Sequence, residues 1–472
     1  MKEEKLIKNR WIILFILVIA PFMVCIDSSI VNVALPALAK KFSVDMKTIT
    51  WIVTIYLMVI SAIVLIFGRI GDIVSKAVLF KIGLIISSLG SLLCGLSRSF
   101  IFLILSRVLQ AMGAAAILAT NQGLVTQMFP QNERGRALGI NGTFVALGTL
   151  VGPPLGGFIL SVFSWQYIFL VNVPIGILAS ILSFKFVPGS KKEKHEKLDI
   201  KGSIIFPTAI ILLIVSLNMI KSDAINIILI ICGIFLSFLL IIIFILIEKK
   251  TSDPLLDMSI FKDSLYSLSI FCSFLTFIAL SCNNIIQPFY FQDILKLSPG
   301  VTGMFLMIYP LILSIVAPIS GYLSDKIGSE FLTFLGLCLT VAGLFMMSTL
   351  KENSSFYLIG VFLGILAVGN GLFQSPNNSL VMSLVPGNKL GIAGSINALL
   401  RNIALTLGIV LSTTILYKSM SRKIGYSVSN LIEGRNDVFM YGMRIVYLCF
   451  AGICLVGVIL TAVRLRSNKK GK

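Results

Sequence analysis

Asp27 is the one acid deep inside an apolar run of this 472-residue chain, and Arg107 lies inside another. Ionisable groups are costly at such positions and usually mark function. A carboxylate can take up and release a proton, and an arginine beside it can sense the change. The same two side chains can also form a static ion pair that orients two helices, its attraction offsetting desolvation. The residues alone leave both readings open.

Amides supply the other chemistry. Asn283, Asn284 and Gln287 share one apolar run, Asn370 and Gln374 a second, and Asn397 lies near Arg401 in a third. Asn32 and Gln110 stand close in sequence to Asp27 and Arg107. Such groups can hydrogen-bond a substrate along a path, or act as glue between helices. The run interiors hold no histidine and one acid, so an acid–base catalytic pair is hard to assemble. The eight cysteines all fall in apolar runs with no metal or disulfide spacing. No cofactor and no metal are expected. No G-x-x-x-x-G-K-S/T phosphate loop occurs, so a pump built from this chain draws on an ion gradient.

The elements that must position these residues are legible from hydropathy. The chain is 57% hydrophobic and 12% charged, with a mean hydropathy of +0.99. A run of about 20 apolar residues spans a bilayer as a helix. Fourteen such runs lie near 11–35, 49–68, 78–97, 100–125, 137–160, 166–187, 202–220, 225–247, 265–291, 301–322, 331–350, 355–384, 392–417 and 441–465. The fold class is an all-α polytopic membrane protein with 14 transmembrane helices. The first run continues past signal length without a clear cleavage site and reads as a retained helix.

Lysine and arginine set the orientation. The two termini and the even-to-odd loops hold 25 of the 39, the odd-to-even loops hold 11, and Arg107, Arg401 and Arg444 fall inside runs. Both termini are therefore expected in the cytoplasm of a cell-membrane protein, with the basic cluster Lys191, Lys192, Lys194, Lys197 and Lys201. The net charge of +19 is a topology signal, and no polar domain exists to bind nucleic acid. At 1.5 Å per residue, Asp27 lies roughly 24 Å along an outward-running first helix. Arg107 lies roughly 10 Å down an inward-running fourth helix, so the two sit at similar depth.

The chain also repeats itself. GRIGD (68–72) follows the second run and GYLSD (321–325) the tenth, each with glycine four residues before aspartate. Both are expected in short cytoplasmic turns, with Gly68, Arg69, Asp72, Gly321 and Asp325 as gating residues. The offset of 253 residues, eight helices, fits two six-helix bundles plus two inserted helices. The expected division is 1–190, an N-terminal bundle; 191–264, a basic linker and the two inserts; and 265–472, a C-terminal bundle. The inserts carry almost no polar side chains and are expected to face lipid. Paired six-helix bundles around a midplane site are a transporter architecture. GTLVGPPLGG (148–157) places Gly148, Gly152 and Gly156 on one helix face, where a neighbouring backbone can approach closely. Pro153 beside them removes a helix hydrogen bond. The stretch reads equally as a sliding seam or as tight static packing.

Together these stretches resemble the major facilitator superfamily, in particular its fourteen-helix drug:proton antiporter branch. IDSSIVNVALP (26–36) resembles that branch's first-helix motif, whose acid maps to Asp27. GRIGDIVSK (68–76) is similar to the signature turn after the second helix. LSRVLQAMGAAA (105–116) resembles the fourth-helix motif and carries Arg107 and Gln110. GTLVGPPLGG resembles the fifth-helix motif that marks antiporters, and WQYIFLVNVPIG (165–176) is similar to a further stretch of the branch. The resemblance implies proton-coupled export of small amphipathic compounds by alternating access, with Asp27 taking a proton and Arg107 responding. It also implies that Asp72 latches one state through Arg69 and the Arg134/Arg136 loop. The partners implied are a small-molecule substrate, protons and the lipid bilayer, and a monomer is expected. A facilitator or symporter for a metabolite, and a lipid or glycolipid translocase, are the alternatives.

Overall fold

The computed structural model describes residues 2–129, 131–189, 198–220, 227–251, 254–256, 258–385, 390–428, 430–432 and 434–470. Every described regular element is a helix. Fourteen are long and apolar enough to cross a membrane, one for each apolar run of the sequence. They are α1 (Arg10–Phe42), α2 (Met46–Ile73), α3 (Lys76–Gly95), α4 (Phe100–Met128), α5 (Ile140–Val162), α6 (Tyr167–Phe186), α7 (Ile200–Met219), α8 (Ile227–Glu248), α9 (Ser264–Ile294), α10 (Pro299–Ser324), α11 (Ser329–Ser348), α12 (Phe356–Ser383), α13 (Ile396–Ile424) and α14 (Asn436–Leu465). Helices are the form in which an apolar chain satisfies its own backbone where water is absent. Polar residues at the ends replace the missing partners. Ser99 Oγ accepts from Phe102 N at 3.2 Å to start α4. Asp263 Oδ1 accepts from Tyr266 N at 2.9 Å to start α9.

Contacts divide the chain into two compact units. The first holds Met1–Phe42, Trp51–Leu213 and Cys232–Asp257; the second holds Ser43–Thr50, Ile214–Ile231 and Met258–Lys472. In the first, α1 packs on α5, α3 on α4, α2 on α4 and α3 on α6. In the second, α9 packs on α13, α11 on α12, α10 on α12 and α11 on α14, the same scheme shifted by eight helices. The division passes through α7 and α8. Within the first unit Ser237 Oγ donates to Ala209 O at 2.8 Å, and the Phe206 and Phe244 rings lie 5.0 Å apart, which ties these two helices together. Along α8, Ile228, Leu229, Ile231, Phe235, Phe238 and Ile242 are exposed apolar side chains.

Two local expectations are corrected. GRIGD and GYLSD are not turns. The helix of α2 runs on through Asp72 to Ile73, and that of α10 through Asp325 to Ile327. The chain leaves each helix where a residue can do so cheaply. Ser75 caps α3 by accepting from Val78 N at 3.4 Å, and Gly328 adopts φ 90° between α10 and α11, a region that favours glycine. Arg134 and Arg136 do not lie in a loop either. The helix of α5 already begins at Gln131 and continues through Pro153 and Pro154 to Val162.

Candidate functional site

Asp27 is brought by α1, Arg107 and Gln110 by α4, and Asn172 by α6. Arg107 and Gln110 are three residues apart and so share a helix face. Asn172 begins the second part of α6, where the helix is interrupted at Val171 between Tyr167–Leu170 and Asn172–Phe186. All four side chains are buried, Asp27 at 2% exposure and Arg107 and Asn172 at 0%. Arg107 Nη1 donates to Asp27 Oδ2 at 2.6 Å. Asp27 Oδ1 accepts from Gln110 Nε2 at 2.8 Å and from Asn172 Nδ2 at 3.0 Å. The pairing expected from depth alone is therefore present, and it carries two amide donors in addition.

Further contacts to the remaining polar atoms of a buried ion pair help to offset its desolvation. Arg107 Nε donates to Ile52 O at 3.2 Å. Its guanidinium carbon lies 4.1 Å from the centre of the Tyr56 ring and 5.6 Å from that of Phe169, contacts that gain strength when water is excluded. Nη2 is buried with no hydrogen-bond partner among the described residues. Gln110 is the shared member. Its Oε1 accepts from Arg107 Nη1 at 2.7 Å, and its Nε2 also donates to Ser91 Oγ at 2.8 Å. Arg107 Nη1 thus has a second acceptor if Asp27 withdraws. Two bare backbones allow this spacing. A Cβ on Gly90 of α3 would lie 2.5 Å from Gln110 Cα, and one on Gly113 of α4 would lie 2.6 Å from Gly83 O.

The glycine face of α5 has α1 as its neighbour. A Cβ on Gly148 would lie 2.7 Å from Phe22 O and 2.9 Å from Cys25 Cβ. One on Gly152 would collide with Ser29 Oγ and lie 3.1 Å from Ile30 N. One on Gly156 would lie 2.8 Å from Ile30 Cγ1. Ser29 Oγ also donates toward Gly148 O at 3.3 Å. The seam therefore grips α1 on both sides of Asp27, which links the carboxylate mechanically to α5.

The second unit repeats the backbone contacts without the charges. Gly336 and Gly343 of α11 face Gly369 and Leu366 of α12, as Gly83 and Gly90 face Gly113 and Gln110. Gly408 of α13 collides with Ser281 Oγ of α9 as Gly152 does with Ser29. By these pairings Leu366 stands where Gln110 does, Leu363 where Arg107 does and Ala279 where Asp27 does, and all three are fully buried apolar residues.

The amides of the second unit fall into separate groups. Asn283 Oδ1 accepts from Gln287 Nε2 at 3.1 Å and from Tyr447 OH at 2.9 Å. Asn284 points elsewhere and is exposed. Asn370 Nδ2 donates to Tyr309 OH at 2.6 Å, and its Oδ1 is buried without a partner among the described residues. Asn397 Nδ2 donates to Asn378 Oδ1 at 2.9 Å. Gln374 and Arg401 are half-buried, and Arg401 Nε is buried without a hydrogen-bond partner among the described residues. In the first unit Asn32 Oδ1 is in the same condition.

The expected gating positions Gly68, Arg69 and Asp72 lie at the end of α2, and Gly321 and Asp325 at the end of α10. Asp72 forms an ion pair with Lys76 across the turn, and the Lys76 stem lies where a Cβ on Gly123 of α4 would be, 2.8 Å from Cδ. Gly68 faces open space, and a Cβ on Gly321 would lie 3.0 Å from Ser375 Oγ. The side chains of Arg134, Arg136 and Asp325 lie outside the described residues. Sequence reasoning passed over Asn172. The signal was there, an amide inside an apolar run, but nothing in one dimension distinguished it from glue.

This architecture meets known proteins at several levels. A family model described as the Major Facilitator Superfamily matches residues 17–408 and, in a second match, 269–472. The chain is similar to the riboflavin transporter RibZ of Clostridioides difficile (strain 630), 34% identical over 98% of this chain and 99% of that one. It is similar to the multidrug resistance protein Stp of Mycobacterium tuberculosis (strain CDC 1551 / Oshkosh), 30% identical over 84% of this chain and 74% of that one. In fold it resembles a solved bacterial homolog of the human lysosomal transporter Spinster, inward-facing and unoccupied. That match has a TM-score of 0.69 and 15% identity over 98% of both chains. A family match that runs through both units, supported by relatives along the full length, makes this fourteen-helix chain a member of the Major Facilitator Superfamily and a multi-pass membrane transporter.

Proposed function

We propose that the chain is a proton-coupled antiporter of the fourteen-helix drug:proton branch, exporting small amphipathic compounds across the cytoplasmic membrane. The observation that carries this reading is the sealed group of Asp27, Arg107, Gln110 and Asn172, with the glycine seam on the same helix. With Asp27 ionised, three donors hold α1 against α4 and α6. A proton arriving on Oδ2 takes the place of the Arg107 Nη1 hydrogen bond, and Nη1 keeps Gln110 Oε1. The attraction between α1 and α4 falls, and α1 is freed to shift along the small residues of α5. Substrate binding and proton release then compete for the same conformations.

A flavin-like metabolite is the second reading of the substrate. It is favoured by the full-length similarity to a protein named for riboflavin transport. One experiment serves both. Inverted vesicles with an acidic lumen should accumulate a lipophilic cation such as ethidium, or riboflavin, and release protons as they do so. For each proton exchanged, a pH difference of about one unit supports a gradient of about tenfold. Accumulation that ignores the pH difference would leave a facilitator.

Orientation belongs to the same proposal and rests on the division of lysine and arginine between loops. Single cysteines at Lys194, which lies outside the described residues, and at Asn430 are expected to label from opposite faces, Lys194 from the cytoplasm only. Labelling of both from outside would overturn it.

A further inference from the structure

A second pair of carboxyl groups lies apart from Asp27. Asp199 precedes the first turn of α7, and Glu248 ends α8. Glu248 is 3% exposed. Its Oε2 accepts from Leu256 N at 2.9 Å. The Asp199 carboxyl group lies beside it. Glu248 Oε1 and Asp199 Oδ2 are buried oxygens that no N–H or O–H of the described residues reaches. Both crowd the bare Cα of Gly202. A Cβ there would lie 2.7 Å from Glu248 Oε1 and would collide with Asp199 Oδ2. Ser203 Oγ is also buried without a partner among the described residues. A carboxylate only accepts, so two carboxyl groups hydrogen-bond each other only when one carries a proton. Two ionised groups this close repel.

Among the described residues, the other charged groups lining the cavity beside Asp199 are lysines. Lys201 of α7 and Lys250, just after α8, line a cavity of about 360 Å³ together with Asp199, Ile247 and Thr251. Lys201, Lys249 and Lys250 are exposed, so water and salt screen them. The cavity gives Asp199, and through it the pair, a route to solvent.

We propose that Asp199 and Glu248 form a second proton-binding site, in which the two carboxyl groups hold one proton between them and clamp the start of α7 to the end of α8. Through Leu256 the clamp extends to the segment after α8. The proton comes from water and returns to it, and no other bond is made or broken. Opened into water, both groups are ionised near neutral pH. The clamped state therefore binds one proton more than the open state, and the clamp weakens as pH rises, by at most about tenfold per unit. The pair makes the base of the inserted hairpin sensitive to the pH of its compartment, independently of any coupling at Asp27.

Infrared spectroscopy of the full chain in lipid, titrated from about pH 6 to about pH 9, tests this directly. Protonated carboxylic acids absorb apart from carboxylates, and Asp27 cancels in difference spectra between variants. The unaltered protein should show one acid band that titrates, absent from both Glu248→Gln and Asp199→Asn. Each amide still supplies a hydrogen to the remaining carboxylate, so both variants should fold. Their exchange of the Leu256 amide hydrogen, corrected for intrinsic rates, should lose the pH dependence of the unaltered protein. If either variant fails to accumulate, the titrating band and the exchange of the unaltered protein decide. An acid band that survives in both variants, or none at any pH, overturns the proposal. So does a band that appears only when sodium and magnesium are withheld, since the oxygens would then hold a cation.

Discussion

Asp27→Asn will bind and exchange substrate but will not accumulate it against a gradient. The structure explains why this variant should fold. An asparagine Oδ1 in place of Asp27 Oδ1 keeps the bonds from Gln110 and Asn172, while its Nδ2 faces Arg107 Nη1, which retains Gln110 Oε1. Two of three bonds persist, and the Arg107 charge that loses its counter-ion keeps Gln110 Oε1, Ile52 O and the face of the Tyr56 ring. In proteoliposomes the accumulation ratio should fall from about tenfold per proton and pH unit to about one, with counterflow preserved. Arg107→Ala should be damaging for a different reason. It leaves Asp27 buried without its partner, a loss of about 3–5 kcal/mol, so poor expression is the expected result. Combining Asp27→Asn with Arg107→Gln removes both charges and should restore folding without restoring uphill transport. A static pair predicts that both single variants misfold or lose expression and that the double variant regains full pH-driven accumulation, a result that would remove Asp27 from the coupling mechanism.

Gly152→Leu will arrest transport while leaving the protein in the membrane. Even a methyl group at this position collides with Ser29 Oγ and lies 3.1 Å from Ile30 N, so α1 or α5 must move. Overpacking of this kind costs roughly 1–3 kcal/mol, and a bias of that size shifts a two-state equilibrium roughly 5- to 150-fold. Gly152→Ala should give an intermediate loss, because the atom it meets first belongs to a side chain that can rotate. Adding Ser29→Ala to Gly152→Ala should recover part of the rate, since contacting residues couple in double-mutant cycles. The readout is transport rate at equal protein amount. Normal rates for Gly152→Leu would mean that the α1–α5 seam is passive packing.

The asymmetry between the two units bears on both expectations. Backbone contacts between α11 and α12 reproduce those of α3 with α4 at Gly336, Gly343 and Gly369, and those between α9 and α13 reproduce those of α1 with α5 at Gly408. Ala279, Leu363 and Leu366 occupy the places of Asp27, Arg107 and Gln110. A buried charge is costly unless paired, so the apolar copy is the cheaper way to build this fold. That the first unit keeps the charged version is a reason to place coupling there.

The number and position of the helices were legible in the residues, because lipid forces each spanning segment to satisfy its own backbone and to be apolar over about 20 residues. The similar depth of Asp27 and Arg107 followed as well, since rise per residue converts sequence distance into depth along a helix. So did the repeat at 253 residues and the small-residue face of α5. None of these requires knowing which helices touch. Helix ends were less legible. GRIGD and GYLSD contain turn-prone residues, yet the helices run through them to Ser75 and Gly328, because a helix persists until a cap replaces its hydrogen bonds. Tertiary structure alone decided that the glycine seam faces α1, that Asn172 completes the carboxylate's shell across 145 residues, and that Asp199 meets Glu248. Lateral choices of this kind depend on how side chains of several helices interlock at once. An amide or acid in the sequence carries no mark of which neighbour it will meet.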